Sequence, residues 1–414
     1  MRISTKSIYD SGTNQMGALQ SSLNRTQLQL STGRKNLTPA DDPIASARAL
    51  EVTQSQSINT QFVTNRSNAK NFLSQETLAL NSATQLIADV NELVVKAGNG
   101  SLSNSDRETY AIELEGRLND LLGIANTADG AGGYLFSGFK STTLPFSPTA
   151  GGATYQGDQG QRQLQVGSAR NLATSDAGSS VFESNLTGNG AFVTGADPAN
   201  FGRGGSGIIS GGSVADATLL TGHKYEINFT VGPDPVTNLP STTYIVSDLN
   251  TGLPVPDATP VPYKSGEAIV FDGQQFDIKG KPANLDKFTV QPSTKESVFT
   301  TMKTLLGVLR SPGSGAAGQA SLTNGLNRAH DLLDTAYDNV LGVQAEVGSR
   351  LKELDYLDSA GDDLDIQYST TLLDLQDLDY VKAFSLFTQQ QITLQAAQKS
   401  FTTMSGLSLF NYIS

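Results

Sequence analysis

The fold of this chain is decided by two segments, which read YDSGTNQMGALQSSLNRTQLQL at residues 9–30 and YVKAFSLFTQQQITLQAAQKSF at residues 380–401. In each segment, mostly apolar residues recur every seven positions, and a second set of residues recurs with the same spacing three positions later. This pattern is typical of helices that wind around one another. The lines of the first segment are Tyr9, Met16, Leu23 and Leu30, with Gly12, Leu19, Thr26 and Gly33. Those of the second segment are Tyr380, Phe387, Leu394 and Phe401, with Ala383, Gln390, Ala397 and Met404. We therefore expect the two ends of the chain to form a helical pair.

Both segments are also nearly free of charge. Arg25 is the only charged residue in 11–33, and Lys399 is the only one in 383–414. A helix with one face in water normally carries charged residues on that face. Gln, Ser, Thr and Asn stand there instead, so we predict that the pair also packs against copies of itself. The alternative is a monomeric bundle in which these stripes form the internal core.

The composition argues against several classes of protein. A net charge of −12 disfavours binding to the phosphate backbone of nucleic acids, which requires a basic face. No apolar run reaches the length that spans a bilayer. The opening MRISTKSIYD lacks the apolar stretch of a cleaved signal peptide. Because cysteine is absent, disulfides and thiolate ligands are excluded. We expect no nucleic acid and no membrane as partners.

The N-terminal flank is predicted to be helical with one early break. Gly33 ends the first helix, Asp42 can cap the second, and Pro43 suits its first position. Residues 44–97 contain neither Gly nor Pro, so they predict one helix of roughly 80 Å. Its apolar seam consists of Ala69, Leu73, Glu76, Leu80, Ala83, Ile87, Val90, Val94 and Ala97, in which only Glu76 is out of character. A capping box at 105–108 predicts the start of a third helix.

The C-terminal flank mirrors this arrangement. Residues 298–310 and 322–357 predict two helices. The acidic stretch at 362–365, directly after Gly361, predicts a second break before the terminal helix. Since the two breaks lie at comparable distances from the chain ends, they could lie side by side.

The centre of the chain alternates in the manner of strands. Of 15 prolines, 12 lie between Pro145 and Pro292, which disfavours long helices there. Residues 224–231 predict a strand, and Asp272-Gly273 predicts a tight hairpin between 268–271 and 275–279. A second turn at 157–160 is predicted to join strands at 155–156 and 162–166.

The expected fold class is therefore mainly α with an inserted β domain: a long helical rod and coiled coil from both chain ends, plus an outer β-rich domain. The three expected domains are a terminal coiled coil at 1–42 and 363–414, a helical rod at 43–140 and 296–362, and the β-rich domain at 141–295.

Several motifs resemble those of a known family. Residues 29–35 (QLSTGRK) and 39–45 (PADDPIA), with 347–351 (VGSRL), resemble the conserved blocks of the bacterial flagellin superfamily. Within it, 133–138 (GYLFSG) followed by Pro145-Phe146 resembles the hook-filament junction branch, the hook-associated protein 3 family. Flagellin itself usually has an Ala-Ala-Gly run after the paired aspartates, where this chain has Pro43-Ile44-Ala45.

The resemblance implies a structural role. Such proteins are exported unfolded through the flagellar channel without a cleaved signal, and they lie outside the cell in the bacterial flagellum. For this chain, the implied partners are further copies of the same chain in a ring, the other hook-associated junction protein, the first flagellin subunits, and an export chaperone on the C-terminal helix. No enzyme activity, cofactor or metal is expected.

Two groups of residues are the candidate functional sites. The expected assembly interface comprises Met16, Leu19, Leu23, Leu30, Tyr380, Phe387, Leu394, Phe401 and Met404. The expected domain junction comprises Asp41, Asp42 and Pro43.

Other functions remain open at this point. A flagellin-type filament subunit is the nearest alternative, and a phage fibre or bundle-type adhesin would also use a coiled coil. An enzyme would need acids such as Asp272 and Asp277 to gather in a pocket of the central domain. His223 and His330 have no partner at metal-ligand spacing.

The charge-poor ends lead to a prediction about the free monomer. A lone two-helix pair buries little apolar surface against the entropy of ordering it, so residues 1–35 and 365–414 should be frayed until assembly or chaperone binding. Hydrogen exchange on the purified monomer tests this. Strong protection at Leu23 and Leu394 would contradict it.

Overall fold

The chain is mainly α-helical with an inserted β-rich region, as the sequence predicts. The computed structural model describes residues 5–233, 240–311 and 313–413. They form two compact units. The terminal unit comprises Met1–Asn65 and Asp355–Ser414, and the central unit comprises Arg66–Leu354.

Eight α-helices are present in the described part of the chain. They are α1 (Thr5–Thr32), α2 (Pro43–Ala97), α3 (Asn104–Ala125), α4 (Gly178–Phe182), α5 (Asn200–Arg203), α6 (Val298–Arg310), α7 (Gly315–Gln376) and α8 (Tyr380–Ile413).

The long second helix forms as predicted. It begins where the Asp42 carboxylate accepts a 3.0 Å hydrogen bond from the N–H of Ala45, with Pro43 in the first position. Every residue of the predicted seam from Ala69 to Ala97 is buried, Glu76 included. The seam lies in the central unit, where its burial stabilises a helix of only modest intrinsic propensity.

The predicted break near Gly361 is wrong. Helix α7 continues through the acidic stretch and ends at Gln376. Gly361 is buried, and its carbonyl accepts a 2.8 Å hydrogen bond from Nδ2 of Asn59 on α2. This contact satisfies a polar group of α2, and the neighbouring acids do not end the helix. The chain turns at 377–379 instead, where the Asp379 carboxylate accepts the N–H of Lys382 at the start of α8.

The start of α3 also differs from the prediction. The capping box uses Ser103 and Asp106: the N–H of Asp106 donates to the Ser103 hydroxyl at 3.2 Å, and the N–H of Ser103 donates to the Asp106 carboxylate at 2.9 Å. The helix therefore begins at Asn104. Ser105 offers the same residue type, but it lies two residues too late to cap the first free N–H groups.

The central region consists of short strands. They are β1 (Phe146–Thr149), β2 (Gly152–Tyr155), β3 (Gln163–Gly167), β4 (Arg170–Ala173), β5 (Asn185–Leu186), β6 (Phe192–Ala196), β7 (Ile208–Ile209), β8 (Ser213–Val214), β9 (Tyr225–Pro233), β10 (Pro240–Asp248), β11 (Pro254–Val255), β12 (Val261–Pro262), β13 (Ala268–Phe271), β14 (Gln274–Lys279), β15 (Lys287–Pro292) and β16 (Lys295–Glu296).

All described pairings are antiparallel. The largest sheet has the order β11-β10-β9-β15-β6, with β12 also on β10. A second sheet has the order β13-β14-β7, with β8 on β14, and the remaining strands pair as β1-β2, β3-β4 and β5-β16. Alternate residues of β9 (Tyr225, Ile227 and Phe229) are buried and meet side chains such as Phe288 and Phe271 in one apolar core.

One predicted hairpin is confirmed and the other is wrong. Asp272 (φ 42°) and Gly273 (φ 74°) form the tight turn between β13 and β14. The residues on either side of 157–160 do not pair with each other, because β2 pairs with β1 and β3 pairs with β4. The Asp158 carboxylate organises this loop by accepting the N–H groups of Phe139 and Gly160, both at 2.8 Å.

The central unit also contains an aromatic cluster that yields a stability prediction. The rings of Phe136, Phe146, Phe182 and Phe299 are fully buried, with centroids 5.0–5.9 Å apart. Phe182→Ala should therefore lower the free energy of unfolding of this unit by about 3–5 kcal/mol, as for other buried Phe residues. Phe201→Ala, at a ring that is 42% exposed, is the matched control and should cost far less. Urea unfolding of both variants measures the difference, and equal losses would contradict the assignment of the core.

Candidate assembly interface of the terminal helices

The first and last helices of the chain lie against each other in antiparallel orientation. The rings of Tyr9 and Phe401 have centroids 5.1 Å apart, and Nε2 of Gln390 donates to the Ser22 hydroxyl at 2.8 Å. Further along, Gly33 lies against the Tyr380 hydroxyl. These contacts run in opposite chain directions, so the two seven-residue stripes face each other within one chain.

The predicted interface residues lie on or beside this seam. Leu394 is buried, and the following residues are partly buried: Met16, Leu19, Leu23, Leu30 and Phe387, together with Phe401. Tyr380 and Met404, at the two limits of the described stripe, are 57% and 51% exposed. The companion positions Thr26 and Ala383 are buried as well. These side chains close the pair inside the chain, and their part in contacts between copies stays a prediction.

Close approach of the helices depends on a glycine. A Cβ atom built on Gly12 would lie 2.8 Å from the Phe401 ring, closer than carbon atoms normally approach. The ring therefore occupies the space that a larger residue at position 12 would need. Tyr9, one turn earlier, meets the same ring from the side.

The two helix breaks lie side by side, as predicted, although the second comes later than expected. The N–H of Lys35 donates to the carbonyl of Gln376 at 2.8 Å, and the N–H of Leu378 donates to the carbonyl of Gly33 at 3.0 Å. Gly33 ends α1 in the left-handed region, with φ 69°, which favours glycine. A short two-stranded contact thus ties the connectors of both chain ends together.

The predicted junction residues Asp41, Asp42 and Pro43 hold the first connector. The Asp41 carboxylate accepts the N–H groups of Thr38 and Leu37, each at 3.0 Å, and a 2.7 Å bond from the Arg25 guanidinium. The hydrogen bond from Thr38, followed by those from Leu37 and the charge of Arg25, lowers the pKa of Asp41 below its usual 3.8. Asp42 and Pro43 start α2. The paired aspartates therefore have different structural roles: Asp41 organises the loop and Asp42 caps α2.

Sequence reasoning missed the outer face of α8. Val381 is 83% exposed, Phe384 is 65% exposed and Ile392 is 62% exposed, and all three point away from α1. Spacings of three and eight residues place them on one side of a helix. The three residues do not follow the seven-residue spacing of the stripe on the opposite side, so that periodicity does not include them.

Comparison with known proteins identifies the family. A model of the bacterial flagellin N-terminal helical region matches residues 3–141. Flagellar hook-associated protein 3 of Salmonella typhimurium is 26% identical over 411 residues, which is 99% of both chains. The crystal structure of flagellar hook-associated protein 3 from Legionella pneumophila has a TM-score of 0.72 and 30% identity, covering 78% of this chain and 98% of that one. Xanthomonas campestris FlgL gives a TM-score of 0.69, 30% identity, and coverages of 78% and 99%.

The chain belongs to the flagellar hook-associated protein 3 family.

Membership of the hook-associated protein 3 family confirms the resemblance seen in the motifs at both ends. It also fits the fold, since the solved relatives align over nearly their whole length. The curated relatives are both named flagellar hook-associated protein 3, a name that describes no enzyme activity.

Asp272 and Asp277, the two acids named for an enzyme site, serve separate local contacts. Asp272 accepts a 2.6 Å hydrogen bond from the Tyr225 hydroxyl, and burial followed by this bond raises the pKa of Tyr225 to about 12. Asp277 lies 3.8 Å from the Lys279 ammonium. Neither acid lines the cleft of about 250 Å³ between β6 and α7. Both carboxylates thus serve local contacts of the β-rich region.

The histidines occupy ordinary structural positions. Nδ1 of His223 lies 2.8 Å from the Asp248 carboxylate, and Nδ1 of His330 lies 3.0 Å from Oδ1 of Asn91. Among the described residues, no cluster of three or more His, Asp or Glu side chains has the geometry to hold a metal ion. Within the same part of the chain, no helix is long and apolar enough to cross a membrane.

The close approach at Gly12 yields a prediction with a matched control. Gly17→Ala meets no atom within 4 Å, so it should stabilise α1 by up to about 1 kcal/mol through helix propensity alone. Gly12→Ala should gain much less, because the new methyl group forces the Phe401 ring aside. Hydrogen exchange of the α1 amides in the two variants measures this after assembly, the state in which the α1–α8 pair is expected to be ordered. Equal protection would contradict the predicted contact between α1 and α8.

Proposed function

We propose that this protein is a structural subunit of the bacterial flagellum that forms the junction between hook and filament. It assembles with copies of itself through the α1–α8 pair. The observation that carries the proposal is that this pair fills its own seam and still presents a charge-poor apolar face. Full-length similarity to curated hook-associated protein 3 sequences supports it.

The outer face of α8 is suited to burial against another helix. Val381, Phe384 and Ile392 are large and well exposed, and Lys399 is the only charged residue of the helix besides Lys382. Burying one such side chain is worth roughly 1.5–3 kcal/mol. Large apolar side chains that share one side of a helix and remain in water are candidates for an interaction surface.

A second copy of the chain is the occupant that fits this face best. The outer side of α1 carries Leu28, which is 55% exposed, among Ser, Gln and Asn residues. Uncharged surfaces of this kind pack against identical surfaces without like-charge repulsion. The stripes Met16–Leu30 and Tyr380–Met404 then hold the pair closed while its outer faces meet neighbouring copies.

The remaining parts of the proposal follow from the family. The other hook-associated junction protein and the first flagellin subunits are the proposed neighbours along the flagellum. An export chaperone is proposed to cover α8 before secretion, and export is proposed to run through the flagellar channel without a cleaved signal. We also propose the three-domain division with boundaries near 43, 141 and 296, and with the last boundary at the turn at 377–379 in place of 363 because α7 continues to Gln376. The proposed role involves no catalysis and no cofactor.

Gene deletion tests the proposed junction role. Cells that lack this gene should build intact hooks, bear no filaments and release flagellin into the medium. If the protein were a filament subunit instead, the purified chain should polymerise into long filaments from flagellar seeds. Filaments on the deletion strain would contradict the proposal.

Complementation of the deletion strain tests the outer face of α8. The double variant Val381→Ser and Phe384→Ser should restore filaments poorly, because the face loses apolar area without a change in the α1–α8 seam. The control is Val270→Ser, which alters a side chain 59% exposed on β13 of the central unit. Immunoblots of the medium separate the two causes of a defect. Protein that is secreted but not assembled indicates loss of the contact between copies, whereas protein retained in the cell indicates loss of chaperone binding. Normal filaments with the double variant would refute the assignment of this face.

A further inference from the structure

The buried seam of α2 contains one carboxyl group. Glu76 is 1% exposed and lies between Leu73 and Leu80, both fully buried. Burial of an ionised carboxylate is costly unless nearby groups compensate its charge. On α2 itself, residues 72–80 contain no other charged side chain. Any compensation must come from the elements packed against the helix.

Those elements supply one acid and one base. Asp176, in the segment after β4, donates its backbone N–H to Oε1 of Glu76 at 3.2 Å. The Asp176 carboxylate accepts two bonds from the Arg350 guanidinium of α7, at 2.7 and 3.0 Å, and a third from Gln161 at 2.6 Å. Both partners of this ion pair are largely buried.

Arg350 therefore donates its hydrogen bonds to Asp176 and not to Glu76. Its other acidic contact is Glu346, one turn earlier on α7, whose side chain is 69% exposed. No donor in the described part of the chain reaches the second oxygen of Glu76, Oε2. Two buried carboxyl groups thus lie near one guanidinium that bonds only Asp176 of the two, and an uncharged Glu76 resolves the imbalance.

We propose that Glu76 is protonated in the folded protein and forms a pH-sensitive latch that fastens α2 to the segment after β4 and, through Asp176 and Arg350, to α7. The latch holds while Glu76 is neutral. Ionisation at higher pH places a second negative charge beside Asp176 in a site with no further donor. The central unit is then loosened at this point.

The electrostatics of the site agree with this geometry. Burial, and then the negative charge of Asp176, raise the pKa of Glu76 from 4.5 to about 8, although Arg350 opposes the shift. Burial lowers the pKa of Arg350, but its bonds to Asp176 outweigh that effect and keep the guanidinium charged.

The direction of the pH dependence follows from proton binding. Between pH 4.5 and about 8, the folded protein keeps a proton on Glu76 that the unfolded chain releases. The stability of the central unit therefore falls as pH rises through this window, by up to about tenfold in the unfolding constant per pH unit. Below pH 4.5 Glu76 is protonated in both the folded and the unfolded chain, so it adds no further pH dependence to the stability.

Thermal unfolding of the full chain between pH 5 and pH 9 tests the latch. Glu76→Gln keeps an acceptor for the Asp176 N–H and cannot ionise. Its midpoint should therefore nearly match that of the natural chain at pH 5, exceed it increasingly up to about pH 8, and exceed it by a constant amount from there to pH 9. Glu346→Gln, which removes the exposed acid beside the same arginine, is the control and should follow the natural chain. A difference between Glu76→Gln and the natural chain that does not change with pH would overturn the proposal.

A direct titration keeps the test decisive if Glu76→Gln does not fold. In the natural chain with ¹³C-labelled Glu carboxyl groups, NMR should show one glutamate that titrates far above the others, near pH 8. In Asp176→Asn the repelling charge is gone and Arg350 is released, so this midpoint should shift toward acid pH. If every glutamate of the natural chain titrates below pH 6, the latch does not exist.

Discussion

The terminal unit depends on antiparallel pairing between two helices from opposite ends of the sequence. Because α1 ends where α8 begins, both connectors must lie at the same end of the pair, and the short contact from Gly33 and Lys35 to residues 376–378 joins them there. Closing a loop of this length costs entropy that grows only slowly with the number of residues enclosed. A large central region can therefore be inserted between the paired ends at little extra cost to their closure.

The sequence predicted those features that depend on local periodicity or local chemistry. The seven-residue stripes, the start of α2 at Pro43 and the turn at Asp272-Gly273 each follow from a few adjacent residues, and the structure contains all three. The errors arose where a distant residue decides the outcome. Gly361 lies inside a helix, and the side chain that bonds its carbonyl, Asn59, lies 302 positions away in the sequence.

Charged residues illustrate the same limit. The sequence marks Arg25 as the one charge in its stretch of α1 and Glu76 as the one charge in the α2 seam, but it does not name a partner for either. The structure pairs Arg25 with Asp41, so the charge tightens the connector between α1 and α2. Beside Glu76 it places the ion pair between Asp176 and Arg350, and no donor among the described residues reaches Oε2 of Glu76. An unusual residue in a pattern therefore indicates a site, while its chemistry depends on segments far away in the chain.

The distribution of apolar side chains around α8 connects this structure with assembly. Leu394 and Ala383 on the inner side are buried by α1, whereas Val381 and Phe384 on the outer side remain in water. A helix selected only for a solvent-exposed role would carry charges at those outer positions, since they cost nothing there and oppose aggregation. Retaining large apolar groups lowers the solubility of the lone chain, and burial against another copy removes that disadvantage. The inner stripe thus fixes the geometry of the pair, and the outer residues Val381 and Phe384 are those proposed to contact another copy.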